Sequence, residues 1–357
     1  MSTGGRYPGA LRQNPAVTIA EGSRDADELR TGLARWLTES RGTEVTVGPL
    51  ARPDAGLSTD TLFVDAGFAS GEEELVVRLP PLGGGLFPEY RFEDQAKVQQ
   101  LLAGSPVPVA HPVEYVADTG WLGAPFMVMP KVPGRVLLAN PSFVSRSWLK
   151  DAPESEQARL FDGFLAVLAD LHRLDPEPFA FLGDGRSVAD HLDRARAYLA
   201  WASDDVPPPS FMEEALHWCA SHLPQREPER SVLWGDVQLV NAVFDDDLRV
   251  AAVLDWEMAS LGPAELDVGW FFALHDMTVA RVGGDLAGFP TRLEALGRYE
   301  RLLGRTLDEL RWYEAFALLR SGSIMVRMAR LLARRGVDAG WLTTRNPVAA
   351  ALDRVLG

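Results

Sequence analysis

The run Val232-Leu233-Trp234-Gly235-Asp236-Val237-Gln238-Leu239-Val240-Asn241, followed after a short hairpin by Val253-Leu254-Asp255-Trp256, carries three polar groups whose types and spacing suit phosphoryl transfer. That reaction asks little covalent work of a protein and depends on placing charges around an in-line displacement. Asp236, in a loop after an apolar strand, can accept the proton of an acceptor hydroxyl. Asn241 and Asp255 offer two oxygen ligands which, with phosphates and waters, suit Mg²⁺, a cation seldom caged by protein alone. The five-residue interval from Asp236 to Asn241 lets the chain turn once, aiming the carboxylate at the acceptor and the amide oxygen at the metal. Taken singly, each residue also fits a turn or a helix cap. The ordered set Gly-Asp-x4-Asn, hairpin, apolar-apolar-Asp-Trp-Glu is the rarer coincidence.

The elements that must position these groups are legible as patterns. Asn241 opens the apolar stretch Ala242-Val243-Phe244, Asp245-Asp246-Asp247 supplies turn chemistry, and Leu248 to Leu254 runs back as a second strand. Residues 1 to about 24 lack periodicity and read as a loose arm. Asp25 with Glu28 forms a capping-box-like start to a helix whose Leu29, Leu33, Trp36 and Leu37 share one face. Five short strands follow, around Val45–Val47, Thr61–Val64, Glu74–Leu79, Val113–Val116 and Phe126–Met129, with one helix (about Arg91 to Ala103) between the third and fourth. After Pro130-Lys131-Val132-Pro133-Gly134 the pattern turns helical, and Leu160, Phe161, Phe164, Leu165, Leu168 and Leu171 are spaced for a buried helix. Arg327, Arg330, Arg334 and Arg335 read as the solvated face of another helix.

Trp234-Gly235-Asp236…Asn241, the segment from Ala252 to Gly262, and Asp267-Val268-Gly269-Trp270 resemble the aminoglycoside phosphotransferase (choline kinase-like) family. Leu122 to Met129 and Leu171-His172-Arg173-Leu174-Asp175 extend the likeness, which is strongest to the phosphotransferase domains related to those fused to some acyl-CoA dehydrogenases. It runs from about residue 30 nearly to the C-terminus, and its motifs are specific for fold and weak for substrate. The resemblance implies an α+β, protein kinase-like two-lobed fold. After the arm (1–24), a nucleotide-binding lobe built on a small five-stranded antiparallel sheet would occupy residues 25–130, and a larger, mainly helical catalytic and acceptor-binding lobe residues 131–357. It also implies ATP and Mg²⁺ as cofactors.

Within that likeness, Gly56-Leu57-Ser58-Thr59-Asp60-Thr61 reads either as a plain hairpin turn or as a loop over the phosphates. In the second reading Gly56, Ser58 and Thr59 offer donors to anionic oxygens. Arg78 stands where kinase-like folds carry a lysine that neutralises the phosphates. The family's acidic partner position falls on Gln95, so Gln95 becomes a hydrogen-bond partner of Arg78 or the neighbouring Glu93 takes over. Met129 and Lys131 are the candidates for backbone bonds to adenine, with Val76, Met127 and Val128 as apolar walls; Pro130 removes one donor. Trp234 replaces a histidine that braces the loop in many relatives, and can pack the loop but accept no bond. Asp267 resembles a buried acid that holds the loop from a following helix. Glu257 reads either as a neighbour of the metal ligands or as a surface carboxylate.

Composition supports a soluble cytoplasmic enzyme. The 357 residues are 46% hydrophobic and 24% charged, enough for two lobes. The lone cysteine, Cys219, excludes an intramolecular disulfide. No apolar run suits a signal sequence or a membrane span. The 50 acidic residues against 35 basic ones, a net charge of -15, argue against nucleic acid as partner. The leading expectation is a kinase for a small-molecule hydroxyl, a metabolic alcohol or hydroxyacyl compound before an aminoglycoside or macrolide. A nucleotide-binding pseudoenzyme with a sensor or scaffold role is the alternative, and an apolar-ligand binding protein the third reading. Segments around Asp184 to Trp201, Asp276 to Arg292, and the helix carrying Trp312, Phe316 and Met325 are expected to form the acceptor pocket.

Overall fold

The computed structural model describes residues 24–53, 58–183, 187–204, 206–226, 229–344 and 347–357. The arm before residue 24, Gly56 and Asp184 lie outside the described residues. Helix α1 (Ala26–Arg41) starts at Asp25, whose side chain accepts the amides of Asp27 and Glu28 and so satisfies two of the free donors of the first turn. Leu29, Leu33, Trp36 and Leu37 are buried against strands β1 (Thr46–Val47), β2 (Asp60–Phe68) and β3 (Gly71–Leu79). Full burial of one such leucine contributes roughly 2 kcal/mol, enough to order a short helix on a sheet.

Helix α2 (Phe92–Leu102) and strands β4 (Glu114–Val116) and β5 (Phe126–Pro130) complete this part. The sheet order is β1-β2-β3-β5-β4, antiparallel throughout. Alternation along β3 sends Val77 and Leu79 under α1, and Val76 and Arg78 to the other face. Phe92 and Ala96 of α2 cover that second face with Met127 and Met129. Val98 and Leu102, on the far side of α2, join the core of the larger part. A single helix thus belongs to both cores.

The rest is mainly helical. It contains β6 (Arg135–Val136), α3 (Glu154–His172), α4 (Val188–Ala202), α5 (Ser210–Ser221), β7 (Arg230–Leu233), β8 (Ala242–Phe244), β9 (Val250–Val253) and β10 (Ser260–Pro263). Then come α6 (Glu265–Val282), α7 (Arg292–Leu303), α8 (Leu310–Arg334), α9 (Trp341–Thr344) and α10 (Pro347–Leu356). The 25-residue α8 is the spine, packed by α4, α5, α6 and α10. Two small ladders, β6-β8-β9 and β7-β10, carry the loops that matter for chemistry. No helix among the described residues is long and apolar enough to cross a membrane. Arg327 departs from the expected solvated face: it is 5% exposed, donates to the Gly85 carbonyl at 3.0 Å, pairs with Asp204 and lies over the Trp201 ring. Helical spacing shows which residues share a side and leaves open what covers it.

Candidate active site

Strand β7 ends in Trp234 and Gly235, and Gly235 turns the chain at φ +88°. A Cβ there would lie 2.1 Å from the Met258 carbonyl oxygen, so only glycine allows this turn to rest on the segment after Asp255. Asp267 of α6, wholly buried, locks the turn. Its Oδ2 accepts the Trp234 amide at 2.7 Å and its Oδ1 the Gly235 amide at 2.9 Å, while the His172 Nε2 lies 3.0 Å from Oδ2. His172 Nδ1 meets the Tyr299 hydroxyl at 2.5 Å. Burial, and next the Asp267 charge, push the Tyr299 phenol up, so it stays protonated and donates to Nδ1. Residues of α3, α6 and α7 thereby hold one loop.

Asp236 leaves that turn half-buried, with both carboxylate oxygens in use. Oδ1 accepts from Gln238 Nε2 at 2.6 Å and from the Trp270 indole at 2.9 Å; Oδ2 accepts from Asn241 Nδ2 at 2.6 Å. Burial, and next the Asp255 carboxylate, push Asp236 up to about 6 against these three bonds. Asn241 also donates Nδ2 to the Asp236 carbonyl at 3.0 Å, so its Oδ1 is the atom left for another partner. The Leu254 amide bonds to the Asn241 carbonyl at 2.8 Å, and the Trp234 indole donates to the Leu254 carbonyl at 2.8 Å. Trp234 therefore ties the Asp236 loop directly to the residue before Asp255.

Asp255 adopts a left-handed conformation, φ 61° and ψ 67°, which costs a non-glycine residue about 1 kcal/mol or more and aims its side chain back at β3. Its Oδ1 pairs with Arg78 Nη2 at 2.9 Å. Arg78 also donates to Thr59 Oγ1 at 3.2 and 3.3 Å, meets Gln95 Oε1 at 3.5 Å, and lies 3.8 Å from Glu257 Oε2. Ser58, buried nearby, acts to lower the Glu257 pKa against the larger effect of burial. Glu257 is not a surface carboxylate: its side chain is 9% exposed, and burial followed by the Asp255 charge pushes its pKa up. Glu93 is exposed and takes no part, leaving Gln95 as the residue on Arg78.

Ser58, Thr59, Arg78 and Gln95 thus gather beside Asp236, Asn241 and Asp255. Gln95 Nε2 and Glu257 Oε2 are buried there with no hydrogen bond. The orphaned Gln95 donor fits a phosphate oxygen, and the orphaned Glu257 oxygen fits a cation or a water bound to one. No three His, Cys, Asp or Glu side chains among the described residues form a metal-holding group. The ligand set on offer is the mixed pair Asn241 and Asp255, which suits a cation that keeps water and phosphate oxygens.

Met129 and Lys131 stand apart from this cluster, and their expected donor role needs correction. The Lys131 amide is spent on the Glu74 carbonyl at 2.8 Å, and its ammonium lies 2.5 Å from the Glu74 carboxylate and over the Phe63 ring. The two-residue alternation of an antiparallel ladder turns the amide of Met129, paired with Val76, the same way. Val128 packs under α1 and is not on the Met127 and Met129 face. Gln238 and Arg320 were missed, and Trp270, quoted within the motif, had not been given its bond to Asp236. Trp270 lies one helical turn from Asp267, a spacing that puts both on one side of α6. Of the expected acceptor segments, α4 and α8 border the site, whereas Trp312 is buried on the Cys219 carbonyl at 2.9 Å. A cavity of about 520 Å³ lies elsewhere, behind the β8–β9 hairpin, lined by Pro108, Arg159 and Arg249.

Comparison with known proteins agrees with this geometry. Residues 50–313 match the family described as phosphotransferase enzyme family. The chain is similar to acyl-CoA dehydrogenase family member 11 of Homo sapiens, 27% identical over an alignment 312 positions long that covers 83% of this chain and 38% of the human protein. It is also similar to acyl-CoA dehydrogenase family member 10 of Mus musculus, 26% identical over 82% of this chain and 27% of the mouse protein. The chain therefore spans less than half the length of these relatives. Among solved structures, a protein of aminoglycoside phosphotransferase type from Ralstonia eutropha JMP134 superposes with a TM-score of 0.68 at 24% identity, covering 91% of this chain and 97% of that one. A thermostable variant of aminoglycoside phosphotransferase APH(4)-Ia, in ternary complex with ADP and hygromycin B, gives a TM-score of 0.55 at 15% identity, over 90% of this chain and 98% of that one. These structural likenesses establish the kinase-like fold. With its family match over most of its length, the chain belongs to the phosphotransferase enzyme family.

Proposed function

We infer that this chain transfers the γ-phosphoryl group of ATP, with Mg²⁺, to the hydroxyl of a small molecule. Residues 25–130 serve as the nucleotide-binding lobe and residues 131–357 as the catalytic and acceptor-binding lobe. The observation that carries the reading is that Asn241 bonds Asp236, that Trp234 ties their loop to the residue before Asp255, and that Asp255, whose charge acts on Asp236, pairs with the Arg78 guanidinium. The acceptor hydroxyl bonds to Asp236. As its oxygen forms a bond to phosphorus and the bond from phosphorus to the ADP oxygen breaks, the hydroxyl proton passes to Asp236 and ADP leaves with the electron pair. A base raised to about 6 holds that proton more readily than an ordinary aspartate.

Arg78 neutralises phosphate charge, and Thr59 and Ser58 lie within the same group of contacts. Bound by Asn241 and Asp255, magnesium would offset the charge that collects on the phosphates. Adenine lies, on this reading, against Val76 and Met127, with backbone bonds to the Pro130 carbonyl on the β5 edge turned away from β3 and to the Val132 amide just beyond that strand. Among acceptors, the likeness to acyl-CoA dehydrogenase family members 10 and 11 favours a metabolic alcohol or hydroxyacyl compound over an antibiotic. ADP release across a panel of metabolite alcohols, with Asp236→Asn as control, tests the reading. Acceptor-dependent release that the variant abolishes supports it; equal release by both proteins removes Asp236 from the mechanism.

A further inference from the structure

Beside the proposed base, α8 presents a cation that makes no hydrogen bond or ion pair among the described residues and rests on aromatic rings. Arg320 lies with its guanidinium carbon 4.9 Å from the centre of the Trp270 ring and 5.9 Å from that of Phe316. The same Trp270 indole donates to Asp236 Oδ1 at 2.9 Å, so the guanidinium stands one ring away from the carboxylate. Arg320 nitrogens make no hydrogen bond or ion pair with any described residue, yet the side chain is only half-exposed and its nitrogens are not sealed from solvent. Asp267 takes its two amides and His172, Asp236 takes Gln238, Trp270 and Asn241, and neither carboxylate takes a direct bond from Arg320.

A second cation faces the same place. Arg194, on α4, donates Nη2 to His191 Nδ1 at 3.1 Å, and His191 Nε2 donates to the Leu261 carbonyl at 2.9 Å. With Nε2 carrying the proton, Nδ1 of the neutral ring is an acceptor. Burial, followed by Arg194 and Arg320, lowers His191 to about 3, so the ring stays neutral and adds no charge. Arg194 and Arg320 repel each other, and Asp190, Asp236 and Asp267 act on them only at a distance. Both charges act on His191 and on each other, Arg194 from an exposed position and Arg320 from a half-exposed one, in a protein of net charge -15. An anion taken between them would relieve that repulsion and accept charge-assisted hydrogen bonds from both.

We propose that Arg320 and Arg194 form an anion site for the acceptor, so that the substrate is an alcohol carrying a carboxylate or a phosphate. The hydroxyl then meets Asp236 while the anionic group rests on the guanidiniums across Trp270. The proposal depends on the phosphotransferase reading for the identity of the hydroxyl end alone. Arg320 would also discriminate among alcohols, because a neutral one leaves both cations unbridged.

The test is binding of matched pairs, glycerol 3-phosphate against glycerol and glycerate against glyceramide, to protein saturated with Mg²⁺ and a nonhydrolysable ATP analogue, whose own γ-phosphate excludes the probe from Arg78. Anionic members are expected to bind at least about tenfold more tightly, from two charge-assisted hydrogen bonds. Arg320→Met is expected to abolish that preference, Arg194→Met to weaken it, and Arg320→Lys to retain part of it. No preference in the wild type, or a preference unchanged in Arg320→Met, overturns the proposal and leaves Arg320 as a counter-charge packed on Trp270. A failure of the analogue to bind counts against the phosphotransferase reading instead, and the anion preference is then scored on the protein alone. Melting curves of the variants without ligand separate loss of the site from loss of the fold.

Discussion

Substituting Asp267 by asparagine changes one buried atom and is expected to disable the loop that carries Asp236. The carboxylate receives two backbone amides at 2.7 and 2.9 Å and lies 3.0 Å from His172 Nε2. An asparagine keeps one acceptor oxygen and turns its amide group toward a donor, so one amide of the Trp234–Gly235 turn is left buried and unbonded. Losing a charge-assisted bond costs about 2 kcal/mol and stranding a buried donor about 2 kcal/mol more, together about 4 kcal/mol. In a chain of this size that corresponds to a melting temperature lower by roughly 5–10 °C. The displaced turn also moves Asp236 against its acceptor, and a shift near 1 Å costs on the order of 100-fold in rate. Differential scanning calorimetry and steady-state turnover on the same preparation give both numbers. An unchanged melting temperature with unchanged kcat would refute the argument that Asp267 holds the loop. A lower melting temperature with full kcat would refute the link from loop to chemistry.

Further outcomes follow from the same contacts. Because the base works in its ionised form and Asp236 lies at about 6, kcat/KM should rise with pH to a plateau through an acid limb near 6; a profile flat between pH 5 and 8 would remove Asp236 as the titrating group. Arg78→Met should raise the KM for ATP by about tenfold or more, since Arg78 is the cation common to Asp255, Thr59 and Gln95; Arg78→Lys, with a single point charge, should recover only part. Gly235→Ala should destroy activity and lower the melting temperature, because its Cβ would meet the Met258 carbonyl at 2.1 Å in a left-handed turn; an alanine variant with normal turnover would show that the turn relaxes freely.

The chemistry-bearing groups were legible because phosphoryl transfer restricts them to a few residue types at a few spacings. Asn241 bonds Asp236, Asp255 pairs with Arg78, and Arg78 meets Gln95, the position the family resemblance had set opposite it. The five strands and the helix between the third and fourth were legible from alternation and from breaks at glycine and proline. The amides of Met129 and Lys131 both face β3, which the sequence could not show, since an apolar stretch such as Phe126–Met129 does not reveal which amides face its neighbour. The contacts of Trp270 and Arg320 were not legible because helical spacing does not reveal which helix crosses a given face. Only the crossing of α6 and α8 turns them toward Asp236. Arg327 was misread for the same reason, its loop partner Gly85 being 242 residues distant.

The central claim, that Asn241 and Asp255 hold a metal-bound nucleotide beside Asp236, is tested most directly by isothermal titration of ADP with and without Mg²⁺. Binding that requires Mg²⁺ in the wild type, and that loses its Mg²⁺ dependence in both Asn241→Ala and Asp255→Asn, is the predicted result. Nucleotide binding indifferent to Mg²⁺, or to both substitutions, would contradict it.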